Sequence, residues 1–355
     1  MSEPEILFDR IGHAGVVTLN RPKALNALTH DMVLRMAEAL AAWESDASVR
    51  LVLVRAAGEK AFCAGGDIRR VYDMGKAGDP AQRAFFADEY RLNVRIKRYS
   101  KPYVALVDGI VMGGGVGVSV HGSHRVGTER TTFAMPETGI GFFPDVGGSY
   151  FLPRMPDQTG MMAALSAGRL KQADALWTGI LTHAVASADL DALTQALGEE
   201  VDVDAVLARF AARHDAGTPS LAARAPRIAE LFGKPSVAEI LSALDAVAGK
   251  ASDADADAEW AGGLAAAIRS KSPTSVLLSF AQLRRGGEAD FEACMRLEYR
   301  IVSHILQGHD FYEGVRALIV DKDNAPHWSP ATLADVSEDA VLAHFAPPEG
   351  GDLDV

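Results

Sequence analysis

Short continuous runs of apolar residues occur at intervals through the first 130 positions of the chain. The runs at 51–54 and 103–107 predict buried strands, and further strands are expected at 6–8, 15–20 and near 125–128. Apolar residues at helical spacing predict a helix at 30–43, Asp67 is the expected N-cap of a short helix at 68–72, and a longer helix is expected at 81–98. The order is strand, strand, helix with variations, which favours an α/β fold built from such units over a clean βαβ alternation.

The pattern changes beyond about residue 157, where helical spacing dominates. Ala-rich segments and later amphipathic stripes predict helices at 188–197, 203–212, 240–248, 272–283, 291–307 and 310–319. We therefore predict a core at 1–200 and a helical C-terminal region at 201–355 that packs on it. The acidic stretch 251–257 is expected to be a loop or a helix entry, and the last dozen residues, rich in Pro, Gly and Asp, are expected to be loose.

The glycine-rich stretch 101–154 carries the main candidate motifs of the chain. It begins with the predicted strand 103–107 and continues into the triple glycine 113–115, which is expected to open a helix at 116–121. Unpaired N–H groups at a helix start carry the positive end of the helix dipole, and glycines let a ligand approach them closely. This is the form of an oxyanion hole. The alternative is that the glycines only let a helix pack tightly on a strand.

Composition and charge limit the classes of function open to the chain. It has 355 residues, of which 48% are hydrophobic and 23% charged, as in a globular protein. The net charge of −12 argues against a nucleic-acid partner, although a local basic pocket can still hold a polyanion. Cys63 and Cys294 are the two cysteines, which fits a reducing compartment without a disulfide framework. The first residues lack a signal- or transit-peptide pattern and no apolar run reaches 18 residues, so we expect a cytoplasmic location and no membrane partner.

Three other kinds of site are not supported by the motifs near the triple glycine. The spacing G-x-G-x-x-G of a dinucleotide fingerprint does not occur in 113–122. Ser119 does not stand in G-x-S-x-G, so it lacks the setting of a nucleophile elbow. His121 and His124 have no Cys, Asp or Glu cluster at metal-ligand spacing, and we therefore expect no metal site.

Three strings in order carry a resemblance to a known family: NRPKALNAL at 20–28, KAFCAGGDI at 60–68 and the triple-glycine stretch. Over roughly residues 5–185 the chain resembles the enoyl-CoA hydratase/isomerase (crotonase) superfamily. The strings VMGGGVGVSVHG, FAMPETGIGFFPDVGGSYFLPR and DFYEGVRALIVDKD look like the branch that hydrolyses 3-hydroxyisobutyryl-CoA. The resemblance implies a crotonase-like spiral of ββα units followed by a mainly helical C-terminal region.

The resemblance also implies an oxyanion hole and two active-site carboxylates. In crotonases two backbone N–H groups hold the thioester oxygen of an acyl-CoA, and the matching positions here are Gly66 and Gly114. Glu137, which follows Pro136, matches the acid/base position, and apolar surroundings suit a carboxylate for general-base work. Asp145 matches a second carboxylate of the hydrolase branch, and its alternative role is to cap the helix that follows it.

Gly117 separates this chain from the hydratases that it resembles. Hydratases use two carboxylates, and one of them stands three residues after the middle glycine, where this chain has Gly117. The resemblance therefore disfavours hydration and implies hydrolysis of 3-hydroxyisobutyryl-CoA or a close relative in valine breakdown, with Asp145 assisting. A thiol has a pKa of about 8.5, so the thiolate leaves with little proton delivery. Glu137 would act as a base toward water or as a nucleophile that forms an anhydride, and both remain open.

The same resemblance supplies candidates for substrate contacts. Glu89 and Asp145 are candidates to bind the 3-hydroxyl of the acyl group, which needs a polar partner once it is buried. Glu89 by its helix pattern alone reads as a solvated surface residue. Candidates for the CoA site, matched to it or basic and near its motifs, are Ala64, Ile68, Lys23, Arg69 and Lys60. Each of these cations, taken alone, also reads as a solvated surface charge.

The resemblance implies an acyl-CoA as the partner molecule. CoA is part of that substrate, so no separate cofactor is expected, and a homo-oligomer is left open. Two other functions compete with hydrolysis. One is double-bond isomerisation of an acyl-CoA, which can use a single carboxylate. The other is a catalytically silent acyl-CoA-binding or scaffold protein, which retention of Glu137 and Asp145 argues against.

Overall fold

The computed structural model describes residues 3–249 and 256–355 of the chain. Short strands dominate the first half, and several are buried along their whole length, as their continuous apolar runs predict. The strands are β1 (Ile6–Ile11), β2 (Ala14–Leu19), β3 (Leu51–Ala56), β4 (Ala61–Cys63), β5 (Tyr103–Val107), β6 (Ile110–Met112), β7 (His124–Gly127), β8 (Thr132–Ala134), β9 (Arg169–Lys171) and β10 (His183–Ala184).

Helices interleave with these strands and then replace them. The α-helices are α1 (His30–Ser45), α2 (Ile68–Lys76), α3 (Ala81–Lys97), α4 (Gly114–Gly117), α5 (Gly148–Phe151), α6 (Thr159–Ser166), α7 (Gln172–Trp177), α8 (Leu190–Glu199), α9 (Val203–Ala211), α10 (Ala225–Phe232), α11 (Val237–Ala248), α12 (Ala256–Arg269), α13 (Pro273–Gly286), α14 (Phe291–Ile305), α15 (Asp310–Val315) and α16 (Glu338–Ala343). Short 3₁₀ turns span Pro22–Ala24, Glu137–Ile140, Leu152–Arg154, Pro156–Gln158, Ser187–Asp189, Ala222–Arg224 and Leu333–Asp335, and a π-helical turn spans Arg316–Val320. Side-chain oxygens cap several helices, including Thr29 at α1 and Ser272 at α13.

The chain forms two compact units whose segments alternate along the sequence. Unit 1 consists of Met1–Asp67, Asp88–Ala134 and Arg169–Ala222. Unit 2 consists of Ile68–Ala87, Met135–Gly168 and Ala223–Val355. The division into 1–200 and 201–355 stays a prediction.

Unit 1 is built on two sheets. One has the strand order β1-β2-β3-β5-β7-β10 and is antiparallel at β1-β2, and the other has the order β4-β6-β8-β9 and is antiparallel at β8-β9. The register pairs Val16 with Leu53 and Leu53 with Val104, so one apolar row runs across the larger sheet. Leu193 and Leu207, from α8 and α9, are buried in the same hydrophobic cluster. Burial of each such side chain contributes roughly 1.5–3 kcal/mol to the free energy of folding, relative to an exposed side chain.

Unit 2 is mainly helical and contains the segment 135–168. Helix α13 packs against α5 and α6, α14 packs against α5, and α15 packs against the turn Glu137–Ile140. A Cβ on Gly286 would lie 1.9 Å from the carbonyl oxygen of Ser149, and a Cβ on Gly314 would lie 2.4 Å from the carbonyl carbon of Ile140. Glycine is therefore required where these helices approach the backbone of 137–149.

The structure confirms the predicted mixed α/β organisation with a helical C-terminal part. The strand at 103–107 and the helix that begins at His30 have the predicted positions. The predicted helix at 116–121 is wrong, because α4 is a single turn that ends at Gly117 and the following residues form further turns. The glycine- and valine-rich sequence there has low helix propensity, and this explains the short helix.

The last dozen residues are not loose as predicted. Leu353 is buried, and Asp352 forms an ion pair with Arg300 on α14. One apolar side chain and one ion pair outweigh the loop-like composition of this tail. The predicted acidic loop or helix entry at 251–257 lies largely outside the described residues, since α12 begins at Ala256. Among the helices described, none combines the length and the apolar character that a membrane crossing requires.

Candidate active site

The loop 20–28 folds around the buried side chain of Asn26. Its Oδ1 accepts a hydrogen bond from the N–H of Arg21 at 2.8 Å, and its Nδ2 donates to the carbonyl oxygens of Ala57 and Ala61 at 2.9 Å each. Asn26 has φ of 56°, a left-handed conformation that asparagine tolerates better than most residues. These bonds hold the loop against the start of β4.

Leu28, at the end of this loop, forms a parallel bridge with Gly66. The N–H of Leu28 donates to Gly65 O at 2.8 Å, and the N–H of Asp67 donates to Leu28 O at 2.7 Å. In a parallel bridge, the residue between those two groups has its own N–H and C=O on the opposite side. The loop therefore turns the Gly66 amide outward. Gly65 has φ of 117°, which favours glycine.

The Gly66 amide lies beside Gly114, the first residue of α4. A Cβ on Gly114 would lie 3.3 Å from Gly66 N and 3.2 Å from Leu28 Cδ1. Within the described part of the chain, neither the Gly66 nor the Gly114 N–H donates to a protein oxygen. Two open backbone donors thus lie close together next to a position that carries no side chain. This arrangement suits the predicted oxyanion hole.

The carboxylate of Glu89 lies against the same position. Glu89 is 2% exposed, and its Oε1 would be 2.4 Å from a Cβ on Gly114. Glu89 is therefore not the solvated surface residue that its helix pattern alone predicts. Any group bound at the two amides would have this acid as a neighbour, which suits a contact to a polar acyl substituent.

The candidate CoA residues divide between the two units. In unit 1, Ala64 is half-buried and its N–H donates to Leu25 O at 3.0 Å, while Lys23 is exposed in the turn Pro22–Ala24. In unit 2, Ile68 begins α2, and the exposed Arg69 pairs with Asp73 at 3.0 Å. Lys60 is exposed as well. Their roles in CoA binding stay predictions.

Glu137 begins a 3₁₀ turn in unit 2 and is 6% exposed. The N–H of Phe142 donates to Glu137 O at 3.0 Å, and the turn ends at Gly141 with φ of 69°. A Cβ on Gly141 would lie 2.1 Å from Asp310 O of α15. The backbone that carries Glu137 is thus held firmly against α15. Acidic side chains are rarely buried to this extent without a function or a partner.

Asp145 is 4% exposed and lies in the turn 144–149 of unit 2. The N–H of Gly148 donates to Asp145 O at 2.8 Å. The fully buried carboxylate of Glu298, on α14, accepts hydrogen bonds from the N–H groups of Gly147 at 2.8 Å and Ser149 at 2.9 Å. Burial raises the pKa of Glu298 to about 8, with the charge of Asp145 as a lesser cause in the same direction.

Sequence reasoning missed Asn26 and Glu298. No signal from composition or spacing singles out Asn26, because its role depends on a loop conformation. Glu298 could have been found, because it stands on the apolar face of an amphipathic helix, with Cys294, Met295 and Val302 at helical spacing. A carboxylate on such a face is unusual enough to mark a candidate site.

The structure brings Gly66, Gly114 and Glu89 together in unit 1, while Glu137 and Asp145 belong to unit 2. Gly117 is buried within α4 and supplies no carboxylate. The assignment of all five predicted residues to one reaction stays a prediction.

The sequence of the chain matches a family model and several named proteins over most of its length. A family model described as enoyl-CoA hydratase/isomerase matches residues 14–345. A protein of Danio rerio named "3-hydroxyisobutyryl-CoA hydrolase, mitochondrial" is 45% identical, over 98% of this chain and 91% of its own length. The Homo sapiens protein of the same name is 40% identical, over 98% of this chain and 90% of its own length.

Two solved structures share the fold over nearly the whole chain. A structure titled as a carnitinyl-CoA dehydratase from Mycobacterium thermoresistibile has a TM-score of 0.90 and 46% identity, covering 98% of each chain. A structure titled as an enoyl-CoA hydratase from Rhodobacter sphaeroides has a TM-score of 0.90 and 36% identity, covering 99% of this chain and 100% of its own. These matches confirm the predicted fold class. The chain belongs to the enoyl-CoA hydratase/isomerase (crotonase) family.

Proposed function

We propose that the protein hydrolyses 3-hydroxyisobutyryl-CoA, or a closely related 3-hydroxyacyl-CoA thioester, to the free acid and CoA in valine catabolism. The curated relatives at 40% and 45% identity are named as hydrolases of this thioester. The observation that carries the proposal is the pair of open amides, Gly66 and Gly114, beside the buried carboxylate of Glu89. Paired donors suit a thioester oxygen, and the acid suits a polar acyl group.

Negative charge develops on the thioester oxygen when a nucleophile adds to the carbonyl carbon. In this proposal the N–H groups of Gly66 and Gly114 donate to that oxygen. Removal of one oxyanion-hole donor costs about 3–4 kcal/mol of transition-state stabilisation in other enzymes. The C–S bond then breaks and CoA leaves as the thiolate, which is a fair leaving group because a thiol has a pKa of about 8.5.

Glu137 supplies the group that begins the reaction, by one of two routes. As a base it takes a proton from water while the water oxygen bonds to the carbonyl carbon. As a nucleophile its own oxygen bonds to that carbon and gives a mixed anhydride, which water then hydrolyses. Both routes end in the free acid and CoA, and both need the carboxylate at position 137. Asp145 would assist by binding the 3-hydroxyl.

A second candidate is a hydratase- or isomerase-type reaction on an acyl-CoA. The names of the two similar solved structures, a dehydratase and a hydratase, favour it. Gly117 weighs against hydration, because the position matched to the second hydratase carboxylate has no side chain. Isomerisation is compatible with a single carboxylate at Glu137, and it releases no CoA.

A thiol-release assay separates these reactions. The purified protein is given 3-hydroxyisobutyryl-CoA, isobutyryl-CoA, 3-hydroxypropionyl-CoA, crotonyl-CoA and a 3-enoyl-CoA. Free thiol and double-bond absorbance are both followed. Thiol release that is fastest with a 3-hydroxyacyl-CoA is the expected result. Double-bond chemistry without thiol release would replace the proposal with the second candidate, and binding without any turnover would support a silent acyl-CoA-binding protein.

Replacing Glu137 with glutamine tests its role. Glu137→Gln keeps the size of the side chain and removes its charge, so thiol release should fall about 10²–10⁴-fold or more while CoA affinity stays nearly unchanged. Glu338→Gln, at an exposed position of α16, is the matched control and should leave the rate unchanged. Turnover above half of the wild-type rate in Glu137→Gln would remove Glu137 from the mechanism.

Compartment and assembly remain predictions. The cytoplasmic location is not supported by the relatives, because their names place them in mitochondria. Cell fractionation of the source organism would decide the compartment. Light scattering of the purified chain would decide whether it forms a homo-oligomer.

A further inference from the structure

The turn that carries Asp145 is held by one side chain from α14. Glu298 Oε2 accepts the Gly147 N–H at 2.8 Å, and Oε1 accepts the Ser149 N–H at 2.9 Å and the Ser149 hydroxyl. These donors lie two and four positions after Asp145 in the sequence. The side chain of Glu298 therefore fixes the backbone on the C-terminal side of Asp145 at two points.

A second helix holds the other side of the same residue. Gln282, on α13, donates from Nε2 to the carbonyl oxygen of Pro144, which directly precedes Asp145. Gln282 and Glu298 are both fully buried. Burial of a polar group is costly unless it is hydrogen-bonded, and both oxygens of Glu298 and the Nε2 of Gln282 make their hydrogen bonds to this turn, whereas Gln282 Oε1 has no partner within the described part of the chain.

The backbone of the turn needs this support. Val146 has φ of 50°, in the left-handed region that a β-branched residue avoids, and Gly147 follows at 88°. Strained conformations of this kind persist only where surrounding contacts determine them, and they concentrate at functional sites. The strained residue lies next to Asp145, between the two backbone groups that Gln282 and Glu298 hold, Pro144 O and Gly147 N.

We propose that Glu298 is a positioning residue for Asp145: it holds the turn 144–149 so that Asp145 binds the 3-hydroxyl of the acyl group. This rests on the proposed function, which gives Asp145 that contact. Glu298 acts through the backbone of the turn and takes no part in bond breaking. The specificity of the enzyme for a hydroxylated acyl chain thus depends on a residue of the C-terminal helices.

The pKa of Glu298 is changed by its buried surroundings. Burial raises its pKa to about 8, although hydrogen bonds from Ser149 and Gly147 oppose the shift. The titratable groups near it are Asp145 on the turn and Cys294 on its own helix, whose thiol pKa burial raises to about 11. The ordinary pKa of a glutamate is 4.5, and the pKa of Glu298 in the folded state is about 8. Between these two pH values the unfolded chain is ionised and the folded chain keeps its proton, so the folded state becomes less stable as pH rises.

The test combines two variants with two substrates. Glu298→Gln keeps the size of the side chain but presents an amide to at least one of the N–H donors, so the turn loosens. We expect kcat/KM for 3-hydroxyisobutyryl-CoA to fall roughly 10- to 100-fold, the loss typical of a hydrogen bond to a charged group, because the bond between the 3-hydroxyl and the Asp145 carboxylate is weakened. The kcat/KM for isobutyryl-CoA, which has no 3-hydroxyl, should fall far less. In an Asp145→Asn background, Glu298→Gln should add little further loss, because both changes remove the same interaction.

Asp174→Asn is the matched control. Asp174 is a buried carboxylate of unit 1 that likewise accepts a backbone N–H, of Leu221 at 2.9 Å, and a serine hydroxyl, of Ser220 at 2.7 Å. It should leave the ratio of the two substrates unchanged. Two results would overturn the proposal. One is that Glu298→Gln lowers kcat/KM equally for both substrates. The other is that Glu298→Gln lowers kcat/KM by the same factor in the wild type and in the Asp145→Asn background.

Hydrogen–deuterium exchange tests the positioning role without any substrate. The Gly147 and Ser149 amides should exchange faster in Glu298→Gln than in the wild type, while amides of unit 1 keep their rates. Unchanged exchange in the turn would overturn the inference whatever reaction the enzyme performs. A wild type that releases no thiol from either substrate would instead overturn the proposed function, so the two failures are distinct.

Discussion

At the scale of single residues, glycine contributes here through what it lacks. Gly66 and Gly114 offer backbone donors next to a position without a side chain, and Gly117 has no side chain at the position that the family resemblance matches to a hydratase carboxylate. Both features could be predicted from the sequence. The family motifs identify the three positions, and glycine has no side chain that could act as an acid or a base. The orientation of the Gly66 amide was not readable, since it depends on the bridge with Leu28.

Gly114→Ala should separate the oxyanion hole from the fold. The new Cβ would lie 2.4 Å from Glu89 Oε1, 3.2 Å from Leu28 Cδ1 and 3.3 Å from Gly66 N, so the Glu89 side chain must shift while the other two neighbours give way only slightly, and the fold should be retained. The methyl group would occupy space beside the two amides, and we expect kcat to fall about 10²–10³-fold, as when a donor is lost. Steady-state kinetics and circular dichroism measure both effects.

Gly263→Ala is the control for this substitution. Gly263 lies within α12, and a Cβ there has no neighbour within 4 Å. Alanine should therefore stabilise the helix by up to about 1 kcal/mol and leave the rate unchanged. A Gly114→Ala enzyme with a normal rate would show that the space beside Gly114 is not used by the substrate.

At the scale of elements, the C-terminal helices support the segment that carries both acids of unit 2. Helix α15 packs on the turn of Glu137, and α13 and α14 hold the turn of Asp145. The sequence predicted these helices from their apolar spacing, because spacing reports which face is buried. It did not predict their contacts, because those depend on pairs distant in sequence, such as Glu298 with Gly147.

An ion-pair cluster joins α15 to the segment that follows it. Arg316, in the π-helical turn, donates to Glu313 at 2.8 Å, Asp321 at 2.7 Å and Asp323 at 2.6 Å. Glu313 also accepts the N–H of His327 at 2.8 Å. The hydrogen bond from Arg316 lowers the pKa of Glu313 to about 2, and its side chain is only 12% exposed. Glu313 therefore keeps its charge in the folded state at acidic pH.

This lowered pKa predicts a pH dependence of stability. Glu313 contributes its full stabilisation above its ordinary pKa of 4.5, and the contribution is lost as pH falls toward about 2. Glu313→Gln should thus lower the Tm at pH 7, and the difference from the wild type should shrink between pH 4.5 and the lowest pH at which the protein stays folded. Glu230→Gln, in an exposed pair with Arg227, should change the Tm little at any pH. A Tm difference that is constant with pH would contradict the lowered pKa.

At the scale of the whole molecule, neither compact unit is a continuous stretch of chain. Unit 1 takes three segments and unit 2 takes three others, so the change in composition near residue 157 does not mark a border between them. Composition reports local propensity, whereas compact units are defined by contacts between distant segments. The family strings predicted the fold class, because they were recognised across nearly the full length, but no local pattern predicted this alternation.

The C-terminal tail belongs to unit 2 and closes over α14. Arg300 holds Asp352 in a bidentate pair, and Arg296 donates to the carbonyl oxygen of Val355 at 3.3 Å. Leu353, between these contacts, is 3% exposed. The tail is thus a packed part of the unit, with one leucine as its apolar anchor.

Leu353→Ala tests whether this anchor stabilises the molecule. Removing a buried leucine side chain costs about 2–5 kcal/mol, with the lower end expected because a chain end can relax into the cavity. Leu342→Ala, on α16, removes the same atoms from a side chain that is 41% exposed and should change the free energy of unfolding much less than Leu353→Ala. Urea unfolding curves of both variants measure the difference, read from midpoints at unchanged slope. Helix α14 also carries Glu298. If Leu353→Ala lowers selectivity for 3-hydroxyisobutyryl-CoA as well as stability, the tail also contributes to the position of Asp145. Equal stability of Leu353→Ala and Leu342→Ala would show instead that the tail contributes nothing to the folded state.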